Sequence, residues 1–326
     1  MLVRVARRYL PIIACSLLGL AAAEAAVAKT RFVAVTAIVE HPALDAVREG
    51  VRDELKAHGF EEGRDLRFEY RSAQGNPAVA AQIARQFAGS EPDVIVAIST
   101  PSAQTAVSAT KTVPIVFSAV SDPVSARLVG AAGASGTNVT GVSDLPPVKD
   151  QLSLVRELLP SAKRIGVVYS PGESNSVVQI ALLKEFAAKA GMTVVEAPAV
   201  KSSDVQVAVR SLIGKSDLLY LPQDNAVIAA VDAILPIAAQ AKLPVIAPDE
   251  SSVAKGALAT IGFDYYQVGR QTGALVAQVL AGGKPGTIAW QYGAGTDLIL
   301  NAASARALGL AIPDAVSRRA KKILGR

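Results

Sequence analysis

The sequence predicts an α/β protein: two similar doubly wound parallel-sheet lobes, with a ligand cleft between them and three interlobe crossings. Three observations carry this. Short β-rich apolar runs alternate with helix-length amphipathic segments along the chain, the pattern of parallel sheets covered by helices. The alternation occurs twice, and equivalent positions resemble each other. Asp93-Val94-Ile95-Val96 parallels Asp217-Leu218-Leu219-Tyr220, and Val113-Pro114-Ile115-Val116 parallels Leu243-Pro244-Val245-Ile246. The elements left at the C-terminal end are too few for a third domain, so they complete the two lobes. The length of 326 residues fits two domains at ~150 residues each.

The chain opens with Arg4, Arg7 and Arg8, then an apolar stretch over 9–23 and small residues through Ala26-Val27-Ala28. This is the order of a cleaved secretory signal, with an apolar core too short to span a membrane. Residues 1–28 are expected to be this signal, and the mature protein to be periplasmic. Ile12-Ile13-Ala14-Cys15 resembles a lipobox, so a lipid anchor at Cys15 is the competing expectation. The first set of strands is expected at 32–38, 66–70, 93–99 and 113–118, with helices over 43–58, 77–88 and 102–110. A strand at 138–142 then runs into Asp144-Leu145-Pro146-Pro147, a natural crossover. The second set has strands at 164–170, 193–197, 217–222 and 243–248, and helices over 176–190 and 225–241. A strand at 258–263 precedes a helix over 265–280 that Gly282-Gly283 stops. The run 287–292 passes through Gly293-Ala294-Gly295 into 297–300. Hinges are expected within 138–150, 256–264 and 290–297. The lobes are expected to be 29–143 plus 261–290, and 144–260 plus 291–326. The basic cluster Arg318, Arg319, Lys321, Lys322 and Arg326 reads as a solvated last helix.

Composition removes several kinds of chemistry. Cys15 is the single cysteine, and His41 and His58 are the only histidines. Without residues 1–28 the chain has no thiol, which excludes disulfides, thiol catalysis and zinc sites built on Cys/His clusters. No metal and no cofactor are expected. The formal charge of +5 falls to about +3 once Arg4, Arg7, Arg8 and Glu24 are removed. With no dense basic block, nucleic acid is not an expected partner. The sequence has no Gly-x-Ser-x-Gly elbow, no Gly-x-Gly-x-x-Gly after a strand, and no Walker Ser/Thr after Gly283-Lys284-Pro285. An enzyme is not expected.

In open parallel sheets, ligands bind beyond the carboxyl ends of the strands. Six loops are expected to line a common cleft: 39–41, 99–102, 119–123, 171–175, 223–225 and 249–251. The candidate ligand-binding residues are Glu40, Ser99, Thr100, Ser102, Ser118, Asp122, Ser174, Asn175, Asp224, Asn225, Asp249 and Glu250. Ser99-Thr100-Pro101-Ser102 places proline at an early helical position, which leaves free amide donors and the positive end of the helix dipole for a carboxylate. Asp122 and Asp224 read either as caps or as acceptors for a ligand ammonium. His41 reads as a helix-start residue or a specificity contact. His58 suits the last turn of a helix.

These segments resemble the substrate-binding proteins of ABC importers in the tryptophan/tyrosine-type family. The resemblance rests on Ala97–Gln104, Pro114–Val124, Asn138–Val142, Arg164–Tyr169, Asp224-Asn225, Gly256–Thr260 and Asp264–Gly269. It implies the type I periplasmic-binding-protein fold. It further implies an exported receptor that captures a small solute, an amino acid or small organic acid, by lobe closure. Such a receptor delivers the solute to ABC permease subunits in the membrane. Some members resemble aromatic amino-acid receptors, but the aromatics nearest the expected cleft, Tyr169 and Phe117, sit in strands. The alternative reading is a periplasmic sensor module that presents a bound small molecule to a signalling receptor. Repressor effector domains share this two-lobe plan, but an export signal stands here where a repressor has its DNA-binding helices.

Overall fold

The computed structural model describes residues 30–131 and 133–325. The expected signal, its cleavage site and Cys15 lie outside the described residues. The first lobe begins with β1 (Arg31–Ala37), α1 (Pro42–Ala57), β2 (Leu66–Ser72), α2 (Pro77–Gly89), β3 (Val94–Ile98), α3 (Thr100–Ala109), β4 (Ile115–Val120) and β5 (Val139–Ser143). The chain then enters the second lobe. There it forms α4 (Val148–Leu158), β6 (Arg164–Tyr169), α5 (Ser174–Lys189), β7 (Thr193–Pro198) and α6 (Val205–Leu212). These are followed by β8 (Leu218–Tyr220), α7 (Asn225–Ala229), α8 (Val231–Gln240), β9 (Val245–Ile246), α9 (Glu250–Ala254) and β10 (Ala259–Gly262). It returns to the first lobe for α10 (Tyr265–Leu280) and β11 (Gln291–Tyr292). It ends in the second with β12 (Asp297–Asn301), α11 (Ala302–Leu308), α12 (Asp314–Arg319) and β13 (Lys322–Leu324).

One sheet has the order β11-β5-β4-β3-β1-β2 and the other β13-β12-β10-β9-β8-β6-β7. Every neighbouring pair is parallel except β10 with β12. Parallel strands covered on both faces carry continuous apolar runs rather than an alternation. Val94-Ile95-Val96-Ala97-Ile98 is such a run, and all five residues are buried. Its side chains divide between two cores, Val94, Val96 and Ile98 on one face and Ile95 and Ala97 on the other. The second sheet divides in the same way: Leu219 faces one core, Leu218 and Tyr220 the other.

Four details differ from the sequence expectation. Ile261 and Gly262 belong to β10 in the second sheet, while Gln291 and Tyr292 pair with β5 in the first. Two of the expected lobe boundaries therefore shift by two residues. The expected helix over 225–241 breaks at Ala230 into α7 and α8. Pro236 falls inside α8, where it has no N–H for the Asp232 carbonyl. The basic C-terminal cluster is not one solvated helix. Arg319 pairs with Glu157, Lys321 with Asp297, and Lys322 with Glu250 as β13 joins the sheet edge.

Between the sheets the chain passes through 144–147, 263–264 and 293–296, three irregular passages. The Gly293 N–H donates to the Ser143 carbonyl at 2.6 Å. A Cβ at Gly293 would lie 3.0 Å from the Phe263 ring, so any larger residue would press on it and the passages would have to give by a few tenths of an ångström. Helix α10 packs on α1 through glycines. A Cβ at Gly269 would stand 2.2 Å from the Val47 carbonyl oxygen, and one at Gly50 2.2 Å from that of Tyr266. The pair is tied further by Arg270 to Glu54 and by the Tyr266 hydroxyl to Asp53 at 2.8 Å. This contact holds the first residue of α10, Tyr265, at the junction between the lobes.

Gly269→Ala should force the two helices apart and destabilise the protein by about 1–3 kcal/mol, the range for overpacking. Thermal denaturation checks this; an unchanged melting temperature would show that the helix pair can yield.

Candidate functional site

The carboxyl ends of both sheets face the junction, and each of the six expected loops reaches one cavity there. The first lobe contributes His41, Ser99, Thr100, Ala119 and Ser121, and the second Asn175, Gln223, Asp224, Asn225 and Asp249. Ala43, Leu44, Ile228 and Pro248 form apolar walls, and Asp144 and Tyr265 enter from the crossings. The space is about 30 Å³, room for about two waters. Beyond it an outer groove of about 1090 Å³ opens between the lobes, lined in part by Arg85, Pro101, Gln104, Glu173, Lys201 and Asn225. Bonds between the lobes close the inner space. The Ser121 hydroxyl donates to Gln223 Oε1 at 3.2 Å, Gln223 Nε2 to the Tyr265 hydroxyl at 3.0 Å, and Gln104 Nε2 to Ser174 Oγ at 3.3 Å.

The first-lobe wall is built at the start of α3. Pro101 presets the helical turn, and the N–H groups of Thr100 and Ser102 precede the first intrahelical bond, which Ala103 makes to the Ser99 carbonyl. Ser99 holds φ 78° and ψ 158°, and Ala119 on the neighbouring strand end holds φ 52°. Both are left-handed values on residues with a Cβ, a strain of about 1–3 kcal/mol each. Ser99 Oγ and Thr100 Oγ1 are buried and find no hydrogen-bond partner among the described residues. An unmet buried hydroxyl is costly, so these two donors mark where a ligand acceptor would be stabilised.

The acidic groups divide into occupied and free. Asp224 accepts from the Ser170 N–H and Ser176 Oγ, both at 2.5 Å, and from the Val227 N–H at 2.9 Å, capping α7. Asp249 accepts from the Ser252 N–H, Ser252 Oγ and Ser251 Oγ, capping α9. Glu173 binds the Asn225 amide groups, the Ala226 N–H and Asn175 Nδ2. Burial, and then the nearby Asp224 charge, push Glu173 above its ordinary range, and burial pushes Asp224 the same way. Asp144 differs. Its Oδ2 accepts from the Tyr265 hydroxyl at 2.9 Å, but its buried Oδ1 has no hydrogen-bond partner among the described residues. The Ser121 hydroxyl, which donates to Gln223 at 3.2 Å, also stands against this carboxyl and offsets part of the effect of burial. Burial pushes the Asp144 carboxyl up to about 6. Asn175 Oδ1 and His41 Nδ1 are likewise buried and unmet among the described residues. Burial, against the pull of Asp249, lowers the His41 imidazole to about 4, which keeps it neutral at pH 7.

Of the sequence candidates, Ser99, Thr100, Asn175, Asp224, Asn225 and Asp249 line the cavity, and the others do not. Glu40 is exposed. Ser118 turns to Thr272 of α10 at 2.6 Å. Ser102 is buried in the first turn of α3. Asp122 caps its own turn through the Val124 and Ser125 N–H groups. Ser174 meets Gln104 at the groove, and Glu250 pairs with Lys322. Phe117 is buried in a core and Tyr169 packs against another; the aromatic on the cavity is Tyr265. Sequence reading placed Gln223 in a cleft loop without singling it out, and missed Asp144 and Tyr265 as cavity residues. Asp144 had one signal, an acid placed directly after a parallel strand and at a crossing.

Two parallel-sheet lobes, joined by three passages and closing on a polar cavity at their carboxyl edges, define a two-lobe solute-binding protein. The family model described as ABC transporter substrate binding protein matches residues 32–324, and the chain belongs to that family. The family is one of substrate-binding proteins, not of enzymes. The chain is similar to a tyrosine-binding protein of Clostridioides difficile (strain R20291), 39% identical over 282 residues, 86% of this chain and 82% of the relative. It is similar to the structure of an ABC domain in complex with L-Trp from Streptococcus pneumonia, with 30% identity and a TM-score of 0.88, over 91% of this chain and 100% of that one. A ligand-free, open structure of a substrate-binding protein with adhesive properties from Clostridium difficile is 40% identical, with a TM-score of 0.68 over the same shares. The relative closer in sequence superposes less well. That is expected if lobe arrangement separates them, since identical lobes at a different angle lower the score.

Ser99→Gly should relieve the backbone strain and remove a buried unmet hydroxyl, against a glycine entropy cost of about 0.5–1 kcal/mol. A net stabilisation of about 1 kcal/mol in thermal or urea denaturation is expected, and a loss of stability would contradict the strain reading.

Proposed function

We propose that this protein is an exported receptor for an L-amino acid, with L-tyrosine and L-tryptophan as the leading solutes, serving an ABC importer. The observation that carries the reading is the pairing of opposite unmet groups across one cavity. Two hydroxyl donors and free amides stand at the start of α3, and the free oxygen of Asp144 stands at the crossing. A zwitterion satisfies both: its carboxylate at α3, where the helix dipole adds about 0.3–1 kcal/mol, and its ammonium at Asp144. The Leu44, Ile228, Pro248 and Tyr265 surfaces suit an apolar or aromatic side chain. The named ligands of the tyrosine-binding relative and the L-Trp complex support this class of solute.

On this reading the lobes close over the solute and the closed form is handed to permease subunits, with export directed by residues 1–28. Closure is a shift of population, so the solute must bind the closed arrangement more tightly than the open one. The 30 Å³ space is smaller than an amino acid, so entry requires the lobes or the loops to part. The sequence left Asp122 and Asp224 open between helix caps and ammonium acceptors; both act as caps here, and the ammonium is assigned instead to Asp144, whose Oδ1 has no partner among the described residues.

Calorimetry should detect L-tyrosine or L-tryptophan binding, and tyramine and 4-hydroxyphenylpropionate, each lacking one pole, should bind at least a hundredfold more weakly. Analogues that bind as well as the amino acid would refute the zwitterion reading. Asp144→Asn should weaken binding by a similar factor, as expected when one partner of a buried charge pair is removed. With its carboxyl at about 6, Asp144 is mostly ionised at pH 7 and about nine-tenths protonated at pH 5. Affinity should therefore fall about tenfold between these pH values, and Asp144→Asn should flatten the profile. The folding contribution has the opposite sign. A carboxyl raised on folding favours the native state below its ordinary value near 4, and this is lost as pH rises through 6. His41 runs the other way, favouring the native state as pH rises from about 4 to 6.5, so the variant comparison rather than the raw melting curve isolates Asp144.

A further inference from the structure

Beneath the cleft, the second lobe buries three polar residues that the solute cannot touch. Gln151 on α4, Gln179 on α5 and Tyr220 on β8 are each 1% exposed, and Tyr220 stands within an apolar core cluster. Their hydrogen bonds run head to tail. The Gln223 N–H donates to Gln179 Oε1 at 2.9 Å, and Gln179 Nε2 to the Tyr220 hydroxyl at 2.8 Å. The Tyr220 hydroxyl donates to Gln151 Oε1 at 2.5 Å, and Gln151 Nε2 to the Ile261 carbonyl at 2.8 Å. Both amides use opposite ends for opposite neighbours, so neither can flip without breaking two bonds. The first member, Gln223, bridges the lobes through Ser121 and Tyr265. The last, Ile261, lies on β10 two residues before the second crossing.

We propose that Gln179, Tyr220 and Gln151 are positioning residues that hold the Gln223 loop and couple the interlobe latch it forms to the strand feeding the hinge. Apolar side chains would pack this core without the cost of burying two amides and a phenol. The polar set earns its place by direction: aligned bonds polarise one another, and a gap anywhere leaves a buried group unmet. Gln223 is thus set from below by the relay while its side chain holds the first lobe. Moving β10 at the hinge and releasing Gln223 at the cleft become one event.

The affinity part of the test rests on the amino-acid reading; the lobe-distance part does not. In a Cys15→Ser background the full chain has no native thiol, so Val79→Cys on α2 and Val207→Cys on α6, both exposed, accept spin labels on opposite lobes. Tyr220→Phe and Gln223→Ala should each move the distance distribution toward the open, longer population and weaken L-tyrosine about fivefold, through faster release. That factor corresponds to the loss of one net hydrogen bond. Gln223→Ala, at the partly exposed cleft, keeps the test open should Tyr220→Phe fold poorly. Ile95→Val, in the first-lobe core, should lower the melting temperature and leave the distances alone. If Tyr220→Phe and Gln223→Ala behave like Ile95→Val, with parental distances, the relay is only structural and the proposal fails. If L-tyrosine and L-tryptophan give no heat with the parent protein, the amino-acid reading fails instead. The distances in protein alone then decide the relay, and a parent with no short-distance population would also overturn it.

Discussion

A single buried hydrogen bond, from the Tyr265 hydroxyl to Asp144 Oδ2, joins two of the three passages between the lobes. Asp144 follows β5 of the first sheet, and Tyr265 opens α10 after the chain returns from the second. Their bond fixes the relative position of the passages where the cleft begins. On the proposed reading it also sets what the cleft binds. By taking one carboxylate oxygen, Tyr265 leaves the other, Oδ1, without a partner among the described residues, and by accepting from Gln223 it brings the second lobe to the same point. The glycine contacts between α1 and α10 and the close approach of Gly293 to Phe263 serve this junction, since each holds one passage of it in place.

The cavity is defined by imbalance. Asp224, Asp249 and Glu173 each spread their oxygens over several donors. At the cavity, Ser99, Thr100, Asp144 and Asn175 keep buried atoms without partners among the described residues, and Ser99 and Ala119 carry backbone strain. A fold optimised only for stability would remove these features, because each costs about 1–3 kcal/mol. Their clustering on facing lobes is the physical signature of a place that binding completes.

Much of this was legible in the sequence. The strands were readable because parallel sheets bury both faces, so runs such as Val94–Ile98 stay apolar throughout. The Ser99-Thr100-Pro101 start of α3 was readable because proline at a helix start has a local meaning. Asp122 and Asp224 were ambiguous for a physical reason: a carboxylate that caps a helix and one that binds an ammonium have the same sequence context. Only counting lone pairs separates them. Asp144 and Tyr265 as cavity residues, and the interlobe bonds of Gln223, were illegible because their partners are distant in the chain. Asp144 and Tyr265 are 121 positions apart, and a turn of the Asp-Leu-Pro-Pro type hides a carboxylate well. The C-terminal strand β13 escaped for a related reason, since its pairing with β12 comes from tertiary closure rather than from pattern.

The central claim is that the poles of an amino acid are read by the start of α3 on one side and by Asp144 on the other. A crystal structure grown with L-tyrosine tests it most directly. The account predicts the carboxylate within hydrogen-bond distance of Ser99 Oγ and Thr100 Oγ1, and the ammonium within the same reach of Asp144 Oδ1. An amino acid seated in the outer groove, or bound in the cavity with its ammonium away from Asp144, would contradict it.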